Sequence, residues 1–62
     1  MSYSVWLDDE KYGWMKVAGS TSINSARHYA MQYREDGDVL LKKGRATIES
    51  YSAYNEKAPD NV

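Results

Sequence analysis

The chain has no cysteine, a single histidine and four isolated glycines in 62 residues. Without cysteine, a disulfide scaffold and a thiolate zinc site are excluded, and no redox signature marks the compartment. His28 has Ser25 one helical turn before it. That pair lacks an orienting acid, an oxyanion hole and a pocket, so it makes no nucleophilic constellation. The acidic run Asp8-Asp9-Glu10 lacks the later acidic ligand that calcium-loop spacing requires. Gly13, Gly19, Gly37 and Gly44 stand singly, and none belongs to a phosphate-cradling loop. These absences predict a chain that is not an enzyme and holds no cofactor and no metal.

Long apolar runs are also missing, so neither a membrane span nor a secretory hydrophobic region is expected. The expectation is a soluble, unprocessed, cytoplasmic protein. Charge of one sign is missing too: eight Lys and Arg against nine Asp and Glu leave a net charge of −1. Such a balance supplies no long-range field to attract a polyanion or a membrane. The charges do cluster, with Asp8-Asp9-Glu10 and Glu35-Asp36-Asp38 acidic and Lys42-Lys43-Arg45 basic.

Residues 3–8 and 13–18 alternate and are rich in β-branched and aromatic types, which predicts two paired strands. Two registers keep alternate side chains on one face, one with Trp6 opposite Trp14 and one with Trp6 opposite Lys16. Either register sets Tyr3, Val5, Leu7, Met15 and Val17 on one side and Ser4, Trp6, Asp8, Trp14 and Lys16 on the other. Gly13 suits the positive φ or bulge of a hairpin return. Ser22 is the expected N-cap of a helix starting at Ile23, whose stripe is Ile23, Ala26, Ala30 and Tyr33 with Tyr29 on its flank. Asn24, Ser25, His28 and Gln32 then face water. Gly37 is expected to end the helix as a left-handed C′ residue, with Arg34 favourable to the helix dipole.

Residues 38–42 predict a third strand and residues 45–51 a fourth, joined by a turn at Lys43-Gly44. Strict alternation sets Val39, Leu41, Ala46 and Ile48 on one face and Leu40, Lys42, Thr47, Glu49 and Tyr51 on the other. Residues 52–62 read as a flexible polar tail after a single domain over 1–51. The fold class is therefore α+β: a small antiparallel sheet, ββαββ or ββαβ, with one helix packed on one face.

One helix covers one face, and burying the aliphatic set avoids desolvating four charges. This leaves an open face of aromatic residues rimmed by charge, the composition of a binding surface. The expected partner-binding residues are Trp6, Trp14, Lys16, Leu40, Lys42, Glu49 and Tyr51. A homodimer through this face would also ease the marginal stability of so short a chain. The alternative is a small nucleic-acid binder, in which the sheet aromatics stack bases and Lys42, Lys43 and Arg45 hold phosphates. Against it stand the few basic residues and the acidic Asp8 and Glu49 on the same expected face.

The strand, strand, helix, strand order over residues 3–51 is similar to that of several short bacterial and phage domains. In size, lack of cysteine and lack of catalytic equipment the chain resembles the small inhibitors, anti-CRISPR proteins among them, with which phages and mobile elements occlude host enzymes. That resemblance implies a non-enzymatic chain that binds a protein partner, such as a host nuclease or defence complex. It carries no individual residue across.

Overall fold

The computed structural model describes residues 2–53. Strand β1 (Tyr3–Asp9) and strand β2 (Gly13–Ser20) form a hairpin whose three-residue loop is organised by Asp9. One Asp9 carboxylate oxygen accepts from the N–H groups of both Lys11 and Tyr12 at 2.9 Å. Gly13 then returns the chain at φ +78°, a left-handed conformation that glycine adopts without a Cβ clash. Helix α1 (Ile23–Tyr33) follows, with Ser22 as its N-cap accepting from the Ser25 N–H. Strands β3 (Val39–Lys43) and β4 (Ala46–Tyr51) complete the chain through a two-residue loop, Gly44-Arg45. Gly44 takes φ +64° and Arg45 does not, as favoured in type II′ hairpin loops. The turn thus lies one residue later than Lys43-Gly44.

The four strands form one antiparallel sheet in the order β2-β1-β3-β4, and the fold is the expected α+β layout. The helix lies across β1, β2 and β3 on one side. Its two alanines, Ala26 and Ala30, are fully buried and let the axis approach the sheet. Beneath them lie Val5, Leu7, Val39 and Leu41, with Tyr3, Val17, Ala18, Ile23, Tyr33 and Tyr51 packed around the margin. Burial of these side chains is the main favourable term available to so small a core.

Gly37 has a different role from the one expected. The helix ends at Tyr33, Arg34 is its C-cap, and the Asp36 N–H donates to the Tyr33 carbonyl at 2.9 Å. Gly37 is not left-handed; a Cβ there would stand 2.6 Å from the Asp8 carbonyl oxygen. The residue is small because the α1–β3 connection passes directly over the end of β1.

Each edge strand carries one irregularity. In β2 the register against β1 shifts between Val5 and Trp6, making Val17 an extra residue, and in β4 the register against β3 shifts between Leu41 and Lys42, making Ile48 extra. An extra residue inverts the alternation of everything beyond it relative to the partner strand.

Candidate binding face of the sheet

Paired residues share a side of the sheet, so the register fixes the open face. Its middle row runs Lys16, Trp6, Leu40, Ser50 from β2 to β4. The row toward the β1–β2 loop holds Trp14 opposite Asp8, and the Asp8 N–H donates to the Asp38 carbonyl at 2.9 Å. The row toward the β3–β4 turn holds Gly19, Ser4, Lys42 and Thr47. Trp6 is therefore across from Lys16. The register with Trp6 opposite Trp14 is not formed, and the two indoles are diagonal neighbours.

The structure brings Trp6, Trp14, Lys16, Leu40 and Lys42 onto this one face, as the alternation predicts. It does not bring Glu49 or Tyr51 there. Because Ile48 is the extra residue, Glu49 pairs with Leu41 and Tyr51 with Val39, so both project toward the helix. Their expected place on the open face is corrected by that bulge, and Ser50 takes the position beside Leu40 instead. The basic set is also divided: Lys42 is on the open face, Lys43 pairs with Tyr3 on the helix side, and Arg45 is in the turn.

Within the face, Trp6 is held from two sides. Its indole N–H donates to Ser4 Oγ at 3.0 Å, and the Lys42 ammonium lies 4.8 Å from its ring centroid. The i, i+2 spacing on one strand makes the first contact, and the cation–π contact uses the negative face of the ring. Trp14 has no such contact among the described residues and is 46% exposed. Two shallow depressions flank the centre. One of about 540 Å3 is lined by Ser4, Trp6, Lys16, Gly19, Ser20 and Thr21, with no acidic side chain, and one of about 180 Å3 includes Trp14, Asp38, Leu40 and Ser50. At the start of α1, Ser22 N–H donates to Ser20 Oγ and Ser25 N–H to Ser22 Oγ.

The fold also segregates charge. The end with the β1–β2 loop collects Asp8, Asp9 and Glu10, and the α1–β3 connection, which crosses Asp8, adds Glu35, Asp36 and Asp38. The opposite end carries Lys42, Lys43 and Arg45 beside the start of β1. On the open face itself this leaves Asp8 and Asp38 against Lys16 and Lys42, neutral in sum but polarised along the strands. Among the described residues no group of three or more His, Cys, Asp or Glu could hold a metal ion, and no helix is long and apolar enough to cross a membrane.

The helix side holds two contacts between distant residues that sequence reasoning missed. Arg27 forms an ion pair with Glu49, Nη2 to Oε2 at 2.6 Å, and Tyr51 Oη donates to the same carboxylate. Hydrogen bonds from Arg27, then from Tyr51, hold the Glu49 carboxyl below its ordinary pKa of 4.5. The Arg27 guanidinium is correspondingly raised by its hydrogen bond with Glu49. Burial, then hydrogen bonding to Glu49, pushes the Tyr51 phenol up. Arg34 lies 5.7 Å from the Tyr51 ring centroid and donates to the Ser52 carbonyl at 2.8 Å. These side chains tie α1 to β4, a strand the helix backbone does not cover. Of the expected tail, residues 54–62 lie outside the described residues, whereas the Ala53 N–H donates to the Asp38 carboxylate at 2.7 Å.

No family model, curated protein or solved structure matches this chain.

Proposed function

We propose that the open face is a protein-docking surface and that the chain is a non-enzymatic binding module. The observation that supports this is the disposition of Trp6, Trp14 and Leu40, with Lys16 and Lys42, on the side of the sheet opposite its helix. Trp is the residue most often found as an interface hot spot, and a half-exposed indole flanked by an aliphatic side chain and cations is a ready anchor. A module of this kind acts by occlusion, as the small inhibitors it resembles do: it covers a functional surface of its partner without chemistry of its own.

The test is capture with the immobilised protein. Trp14→Ala and Leu40→Asp should abolish capture of a bound protein, with Trp14→Ala costing about 2 kcal/mol or more of affinity, while Tyr29→Ala on the exposed side of the helix should retain it. Capture lost with Tyr29→Ala and kept with Trp14→Ala would assign the function to the helix surface instead.

A second reading gains from one observation. With Glu49 on the helix side, the end of the open face near Lys42 carries no acid among the described residues, which favours a nucleic-acid contact there more than strict alternation suggests. Asp8 and Asp38 across the other end still oppose a polyanion running the length of the face. Affinity for a single-stranded oligonucleotide that falls steeply with salt, and vanishes when Lys42, Lys43 and Arg45 are neutralised, would establish this reading.

A further inference from the structure

The polarised neutrality of the open face constrains what can cover it. A polyphosphate carries one sign of charge along its whole length and fits one end only. A surface with the same pattern in reverse fits both. From this complementarity we infer that the occupant is a second copy of this chain, packed sheet to sheet about a twofold axis that lies in the interface and runs across the strands through the Lys16–Trp6–Leu40–Ser50 row. The inference rests on the reading of this face as a docking surface.

Two in-plane twofold axes could bring the faces together, and the charges choose between them. An axis along the strands, between β1 and β3, superposes Asp8 of one copy on Asp38 of the other, acid on acid. An axis across the strands exchanges the two ends instead. Lys42 then meets Asp38 of the second copy, because Asp38 immediately precedes β3 and lies four residues from Lys42, about 13 Å along the chain direction and on the opposite side of the axis row. Asp8 meets Ser4, a short hydroxyl that can donate to it. On the axis Trp6 meets Trp6 and Leu40 meets Leu40, an apolar centre of the kind that interfaces place inside a polar rim. The two Lys16 side chains approach at the edge strand, where they are exposed and can turn to solvent.

Shape agrees with charge. On β2 the same operation sets Trp14, the exposed indole, over Gly19, where the exposed Lys16 side chain now lies, its Cε 3.5 Å from where a Gly19 Cβ would stand, and swings aside to admit the ring. Gly19 lies in the depression of about 540 Å3, which is large enough for an indole and offers Ser4, Ser20 and Thr21 at its rim. Each copy thus supplies one knob and one hollow, as an isologous interface requires. Aligned sheet packing keeps strand directions within about 30°, compatible with these pairings. A single four-stranded face is small for a specific interface, so the dimer should form at micromolar rather than nanomolar concentration.

Sedimentation equilibrium of the full chain from about 1 μM to 1 mM should show the mass doubling, on the order of the affinities small interfaces reach. Lys42→Asp and Asp38→Lys should each leave the protein monomeric, raising the dissociation constant by about 10-fold or more through like-charge contacts. Mixed in equal amounts, the two variants should restore the dimer, since each then supplies the charge the other lacks. Trp14→Ala, which alters no buried group, should also give a monomer and is the control should Asp38→Lys fail to fold through loss of its bond to Ala53. A wild-type monomer throughout the range, or a dimer that persists in the single variants, overturns the inference. A monomer with both tryptophans shielded from acrylamide, or one that binds an oligonucleotide with steep salt dependence, does so by identifying another occupant. A monomer whose partner capture still depends on Trp14 overturns the dimer alone and leaves the docking reading standing.

Discussion

The two sides of this sheet come from the same alternation but are finished differently. The helix side has an aliphatic centre, Val5, Leu7, Val39 and Leu41, closed at the β4 margin by Arg27–Glu49 and Arg34–Tyr51. The open side has an aromatic centre, and its cations lie over or beside indoles with no carboxylate as ion-pair partner among the described residues. Apolar content alone does not distinguish the buried side from the open side here. What separates them is whether charged groups are paired within the chain.

Four substitutions would break or sharpen that contrast. Leu41→Ala removes the largest fully buried side chain and should cost about 2–5 kcal/mol, a large share of the stability of any small domain, read as a fall in the urea midpoint. Gly37→Ala forces a Cβ against the Asp8 carbonyl and should cost about 1–3 kcal/mol by the same measurement, although the residue lies in a connection and not in the core. Glu49→Gln should lower the melting temperature at neutral pH by a smaller, salt-sensitive amount, because the pair is partly exposed. Trp14→Ala should leave the melting temperature within about 2 °C of wild type, as expected for a surface change, while removing association.

The acid limb of stability gives a further check on the helix side. The folded-state pKa of Glu49 is depressed, so its contribution is present above the ordinary value of 4.5 and is lost as pH falls through the lower folded value. Melting temperature followed from pH 6 downward should therefore fall less steeply in Glu49→Gln than in the wild type, roughly below pH 4.5. Tyr51 works in the opposite direction: its raised folded pKa means its contribution is present below 10.0 and lost only as pH rises through the higher folded value.

The elements and the centre of the helix-facing set, Val5, Leu7, Val39 and Leu41, are legible because their signals are local, whereas Met15 and Ile48, which alternation also sets there, are exposed. Period-two alternation located β1, β2 and β3, and the Ser22 cap and the alanine stripe placed α1 and the side it buries. The open-face positions of Trp6, Trp14, Lys16, Leu40 and Lys42 followed from the same alternation. The bulge at Ile48 was not legible, since nothing in Ala-Thr-Ile-Glu-Ser-Tyr distinguishes a regular strand from one with an extra residue. Strict alternation therefore puts Glu49 and Tyr51 on the wrong side. The Arg27–Glu49 pair joins residues 22 apart and emerges only once the bulge has turned Glu49 inward. Gly37 reads as a helix stop because glycine commonly takes the left-handed C′ position, but the helix ends four residues earlier, at Tyr33; the close approach of Gly37 to Asp8 depends on how the connection crosses β1.

The two extra residues, Val17 and Ile48, sit on β2 and β4, the strands with an unpaired side, and the central strands have none. A kinked, locally twisted outer ladder is a poor template for another strand, so lateral growth into a continuous ribbon is discouraged at both borders. Deleting Ile48 would keep every cross-strand pair of β3 with β4 yet straighten that border. The resulting protein should fold with its Arg27–Glu49 contact intact and be more prone to fibrous aggregation through the β4 border, with the Val17 irregularity still guarding β2.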